Sequence, residues 1–138
     1  MKTVVMVTSI IIVLLTAPLY AMDSSEKYVL NELQISFAKK NILMGLRSDN
    51  SGLIESCLIL VSKIKMCYYE TNIAEILTVI DSLALASPSG VLRYKAFIVS
   101  NICTQPERFD TENELITRNA DYFFASAARL LHKQYFRL

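Results

Sequence analysis

The chain has no tryptophan, a single histidine, and only three glycines, three prolines and three cysteines. So few backbone breakers exclude collagen-like and Pro/Gly low-complexity classes, and they leave too little punctuation for a many-stranded sheet. Charge of one sign is missing as well, since 14 basic side chains stand against 13 acidic ones. That balance excludes a disordered acidic or basic tail and a strongly basic nucleic-acid binder. What the 138 residues do have is apolar content, 53% against 20% charged, and the expectation is an all-α protein.

One apolar run stands apart from the rest. Lys2 precedes residues 4–15, which are interrupted only by Thr8 and Ser9; Pro18 then breaks any helix and Ala21 offers a small residue for cleavage. This is the pattern of a secretory signal peptide. The competing reading is a retained anchor, because the run extended to Tyr20 approaches the roughly 20 residues that span a bilayer. Pro18 and the polar stretch Asp23-Ser24-Ser25-Glu26 favour cleavage. Leu19, three residues before a cut after Ala21, is larger than the preferred residue, so the cut is placed only to within several residues. The expected organisation is a signal peptide at 1–21 and a single α-helical repeat-like domain at 22–138, periplasmic or secreted. Lys2 is the only charged residue before position 22, so the remaining chain carries 13 charges of each sign and is formally neutral. Without a net field, a partner has to be selected by local patches and shape.

Export permits disulfides, and three cysteines leave one over. Cys57 and Cys67 would lie about 15 Å apart along one helix, too far to bridge. Cys67 with Cys103 is the only pair worth considering, against the alternative of three small buried apolar residues.

Helical spacing organises the chain beyond the leader. The stretch to Arg47 places Val29, Leu33, Phe37 or Ile35, Ile42 and Leu46 three to four residues apart. After the turn formers Asp49-Asn50-Ser51-Gly52, a second helix to about Tyr68 carries Leu53, Ile54, Cys57, Leu58, Val61 and Ile64, with Lys65 at the edge of that face. Thr71-Asn72 can cap a third, from Ile73 to about Ala86, with Ile73, Ile76, Leu77, Ile80, Leu83 and Ala84 as its buried stripe. Ser87-Pro88-Ser89-Gly90 ends it. The fourth, from Val91 to about Cys103, is apolar on two faces and so belongs between neighbours. A polar stretch after Pro106 leads to a last helix at 113–138, with Ile116, Ala120, Phe123, Ala127, Leu130 and Leu131 on its inner side and Arg118, Asp121, Arg129 and Lys133 on its wet side.

The chain also repeats itself at an offset of 38 residues. Ser51-Gly52-Leu53-Ile54 aligns with Ser89-Gly90-Val91-Leu92, residues 59–64 (ILVSKI) with 97–102 (FIVSNI), and Ile42 with Ile80. Each copy is a helix, a tight polar turn and a second helix.

On these residues the segment 28–105 resembles a HEAT-type α-α repeat. Leu43 and Leu46, echoed by Leu83 and Ala86, end the first helices; the turns 49–52 and 87–90 follow; and Val91-Leu92-Arg93-Tyr94-Lys95-Ala96 is similar to the V-R-x-x-A opening of such repeats, with Leu92 inserted. The first copy departs further, with Glu55 where the second has Arg93 and Leu58 where it has Ala96. The resemblance implies about five helices, two stacked HEAT-like helical hairpins plus a C-terminal capping helix, and a binding scaffold with no catalytic residues to carry over. The chain as a whole also resembles small exported helical proteins of bacteria that have no assigned function.

Chemistry is sparse. The lone His132, near the end of the last helix, suits the helix dipole better than a Ser-His-Asp or Cys-His arrangement. Three cysteines without C-x-x-C spacing make a poor zinc site. Met66-Cys67 with Cys57 or Met44 could bind copper(I), but core filling is the simpler use of such side chains. Residues 49–52 are too short and too weakly acidic for a calcium loop, and no glycine-rich phosphate motif occurs. No enzyme activity, cofactor or metal is expected. Arg93, Lys95, Lys63 and Lys65 could form a basic strip, which Glu55 and Glu70 dilute, so nucleic acid is not expected.

Aromatic side chains are the remaining signal. Tyr68, Tyr69, Tyr94, Tyr122, Phe124, Tyr135 and Phe136 are more large rings than one buried stripe holds. Tyr and Arg together mark protein contacts, which singles out Arg93 with Tyr94 and Tyr135-Phe136-Arg137 as candidate partner-binding residues. The expected partner is another protein or a second copy; a membrane enters only if the N-terminal segment is uncleaved. N-terminal sequencing of the native protein is expected to start near Met22 or Asp23, and a start at Met1 would establish the anchor instead.

Overall fold

The computed structural model describes residues 31–109, 115 and 120–135. The signal-peptide expectation at 1–21 therefore lies outside the described residues, as do Phe136 and Arg137. Among the described residues there are five α-helices and no strand: α1 Glu32–Leu46, α2 Ser51–Cys67, α3 Ala74–Ala86, α4 Gly90–Thr104 and α5 Ala120–Tyr135, with a 3-10 turn at Pro106–Arg108 between the last two.

The helix starts follow from the turn chemistry of the sequence. Asn50 Oδ1 accepts a hydrogen bond from Leu53 N at 3.1 Å, and Ser89 Oγ accepts one from Leu92 N at 3.3 Å. Both second helices of the repeat are thus capped by an extended polar residue, each cap contributing about 1 kcal/mol. At α3 the cap is offset, for Asn72 Oδ1 receives Ala74 N at 3.1 Å while the boundary residue is Ile73. No described residue, glycine included, has a positive φ, so Gly52 and Gly90 are not left-handed turn residues; both sit in the first turn of the helix that follows.

Packing joins the helices as two hairpins laid against each other. Helix α1 packs on α2 and α3 on α4, while α1 also meets α3 and α2 also meets α4. The repeat holds at the level of burial: Ile42 and Ile80, Ile54 and Leu92, Leu58 and Ala96, Val61 and Val99, and Ile64 and Ile102 are equivalent at the offset of 38 and all are buried. Helix α4 lies between neighbours as its two apolar faces require, touching α3, α2, α5 and the 3-10 turn. Its Ala96, Ile98, Val99 and Ile102 are fully enclosed. Residues from Glu32 onward form one compact unit.

Three features depart from the sequence reading. Leu33 and Phe37 are exposed while Ile35 is half-buried, because α1 has apolar side chains on two faces and only one finds neighbours. The stretch after Pro106 is not simply a polar loop, since Pro106 and Phe109 are buried, while Leu115, in the expected last helix, is helical and buried. Lys95 of α4 meets Phe124 of α5, and Asn101 meets Tyr135 further along both. The two helices therefore run in the same general direction. Finally, α5 buries Phe124 in addition to Phe123, Ala127, Leu130 and Leu131, while Ala120 is exposed.

Gly45 is the one glycine whose missing side chain is required. A Cβ there would overlap Cys57 Sγ across the α1–α2 contact. In an unobstructed helix Gly→Ala gains about 1 kcal/mol, whereas overpacking costs about 1–3 kcal/mol, so the clash decides the sign. Gly45→Ala is expected to lower stability to urea, and Gly45→Ala combined with Cys57→Ala to recover about 1–2 kcal/mol in a double-mutant cycle. Additive effects would show that the helices do not approach here.

Candidate functional site

The face of α4 turned away from the core carries Tyr94, Phe97 and Asn101, spaced three and four residues apart, with Val91 at its N-terminal edge. Tyr94 and Phe97 are 57% and 47% exposed, large values for rings on a helix that is otherwise central to the fold. The C-terminal end of α5 borders this face. Tyr135 Oη donates to Asn101 Oδ1 at 3.2 Å, and Asn101 Nδ2 donates back to Phe97 O at 2.8 Å. Asn101 thus ties the Tyr135 hydroxyl to α4 while the Tyr135 side chain stays largely in solvent. Gln134 Nε2 donates to Arg108 O at 3.2 Å and holds the same end of α5 to the 3-10 turn.

Of the expected recognition residues, Tyr94 and Tyr135 are exposed and border one surface, whereas Arg93 serves the fold. Its Nη1 donates to Ser87 O at 2.6 Å and reaches Pro88 O at 3.5 Å, clamping the α3–α4 turn. Phe97 and Val91 are the members that sequence reading missed. Both were counted with the apolar face of the fourth helix; the usable signal was that Tyr94, Phe97 and Asn101 lie on the side of the helical wheel opposite Ala96, Val99 and Cys103.

The cations of the expected basic strip are taken up singly. Lys95 Nζ pairs with Glu55 Oε2 at 2.7 Å and lies 4.9 Å from the centre of the Phe124 ring, so one ammonium joins α2, α4 and α5. Lys65 Nζ donates to Tyr69 O and, at 3.1 Å, to Thr71 O, closing the segment between the hairpins. Burial holds the Lys63 ammonium below the usual lysine range, partly opposed by Cys67 nearby. Phe124, one of the rings expected in excess, is buried edge-on to Phe123 with centroids 5.3 Å apart.

The groups weighed for chemistry are dispersed. His132 is exposed in the last turn of α5 beside Lys133, where a cation meets the negative end of the dipole. None of the three cysteines is joined in a disulfide; Cys57 and Cys103 are buried and Cys67 is exposed at the end of α2. Burial pushes the Cys57 thiol up. It pushes Cys103 up to about 12, with Lys65 pulling down and Asp81 adding to the rise. Met44 is on the outside of α1 while Met66 is in the core, so the soft ligands considered for copper are separated in environment. Among the described residues no three His, Cys, Asp or Glu side chains gather as a metal ion requires. A depression of about 290 Å³ between α1 and the start of α3 is bounded by Lys39, Leu43 and residues 72–76.

Comparison of the chain with protein-family models, with curated proteins and with solved structures finds no match.

Thiol chemistry should follow the burial pattern. The thiolate is the reactive form, and a thiol raised to about 12 stays protonated at pH 8, so Cys103 is expected to resist iodoacetamide until the protein unfolds, as is Cys57. Cys67 is expected to be alkylated first in the native protein, read by peptide mass. Equal rates at all three positions would contradict the buried placement of Cys57 and Cys103.

Proposed function

We propose that this chain is a non-enzymatic, exported helical-repeat protein that binds another protein, or a second copy of itself, through the aromatic face of α4 and the adjoining end of α5. Read as HEAT-like repeats on their sequence resemblance, the two hairpins suit a scaffold role, since repeats of that kind present extended surfaces and rarely carry chemistry. The observation that carries the reading is the Asn101 arrangement. Its side chain is bonded to the Tyr135 hydroxyl on one side and to the Phe97 backbone carbonyl on the other, which ties the end of α5 to the face of α4 that carries Tyr94 and Phe97. Pre-positioned Tyr and Phe side chains lose little freedom on binding and dominate the energetics of protein interfaces. Formal neutrality is consistent with selection by shape rather than by long-range charge.

A membrane-anchored protein that keeps its N-terminal segment is the second reading, and the exposed apolar side chains of α1 favour it.

The test is retention of partners from the protein's own envelope fraction, compared between the wild type and the double variant Tyr94→Glu/Phe97→Glu, with Tyr122→Glu as a surface control on α5. Self-association is followed in parallel by sedimentation at rising concentration. Truncating interface anchors typically costs 2 kcal/mol or more, so the double variant is expected to weaken capture or dimerisation by about 30-fold or more while the control leaves it intact. Identical partner sets and identical sedimentation for all three proteins would overturn the reading.

A further inference from the structure

Helix α1 is apolar on two sides, and among the described residues only one of them packs against neighbours. Ile42 and Leu46 are buried, Ala38 and Leu43 pack against the core, and Gly45 lies on Cys57. The other side presents Leu33, Phe37 and Met44, 66%, 61% and 66% exposed. Spacings of four and seven residues align these three on one line along the helix. Lys40 stands on the same line between Phe37 and Met44, and exposed Arg47 follows two turns after it. No acidic residue is on this face; Glu32, the only acid of α1, lies on the flank.

Charge decides among the occupants that could cover such a face. A second copy paired about a twofold axis would set this face against itself, each copy bringing Lys40 and Arg47 and no carboxylate of α1 on that line, so like charges would share the seam. An anionic bilayer surface meets the same face without conflict. Leu33, Phe37 and Met44 enter the boundary of the acyl chains, Lys40 extends its stem toward the headgroup phosphates, and Arg47, now 3.3 Å from Glu75, stands at the edge of the contact. The contact is lateral, because no described helix is long and apolar enough to cross a membrane.

The geometry points to the outer face of α1 as a surface-binding element for anionic membranes, with Leu33, Phe37 and Met44 as the inserted side chains and Lys40 as the headgroup contact. This inference stands apart from the α4 surface and does not depend on it. It holds whether or not the N-terminal segment is retained.

The absence of tryptophan supplies a clean reporter. The full chain carrying Phe37→Trp is mixed with vesicles of equal parts phosphatidylcholine and phosphatidylglycerol, and Tyr122→Trp on α5 serves as the comparison. Expected is a blue shift of the indole emission from position 37 and its quenching by lipids brominated in the acyl chain, with the indole at position 122 unaffected. Binding is expected to weaken about fivefold when Lys40→Gln is added, one cation near a charged surface being worth about that factor. Vesicles of phosphatidylcholine alone are expected to give a markedly smaller shift. No change of the position 37 emission with either vesicle overturns the inference, as does an equal shift with both. A blue shift before any lipid is added also overturns it, assigning the face to a second copy if it grows with protein concentration and to the chain's own residues if it does not. If Phe37→Trp lowers the helical circular dichroism, Leu33→Trp reports on the same line.

Discussion

The structure depends on covering α4. A helix with Leu92, Ala96, Ile98, Val99, Ile102 and Cys103 all buried cannot lie at an edge, because burying one such aliphatic side chain is worth about 1.5–3 kcal/mol and exposing half of them would forfeit most of a domain's net stability. One hairpin partner, α3, covers only part of that circumference. Helix α2 covers another part and thereby docks the first hairpin on the second; α5 and the 3-10 turn cover more of it, and the side of Tyr94 and Phe97 stays open. Beyond Thr104, the residues Pro106, Phe109 and Leu115 are buried as well.

Polar side chains mark the joints of this packing. Arg93 holds the α3–α4 turn, Lys65 the segment between hairpins, Ser100 donates to Asp81 at 2.6 Å between α3 and α4, and Arg47 reaches Glu75 between α1 and α3. Exposed pairs of this kind contribute about 0–1 kcal/mol each, so their value is in fixing which faces meet. The half-buried Glu55–Lys95 pair is of another kind, because its ammonium also faces the Phe124 ring and ties the capping helix to both hairpins. Among the described residues, the exposed large apolar side chains include Val91, Tyr94 and Phe97 on α4 and Leu33, Phe37 and Met44 on α1.

Much of this architecture was readable in the residues. The caps at Asn50 and Ser89, the stop at Ser87-Pro88 and the 38-residue repeat are local signals, and local chemistry decides them. The repeat also carried information in its failure: Glu55 replaces the cation at the position of Arg93, and that same Glu55 is the partner Lys95 needs. The surfaces were less readable. Phe97 looks like a core residue in any apolar helix until the neighbours on each side are known. Leu33 and Phe37 fit a buried stripe as well as Ile35 does, and only the position of α1 at the end of the stack leaves them uncovered. Phe109 follows a polar run, and nothing nearby in sequence shows that it is buried.

Native-state hydrogen exchange on the intact chain addresses the central claim directly. If mutual shielding of the hairpins around α4 holds the fold, the slowest amides of α2 and α4 will open together, with one free energy equal to that of global unfolding. An α1–α2 unit that opens separately, at a lower free energy, while α3–α4 keeps its full protection would contradict it.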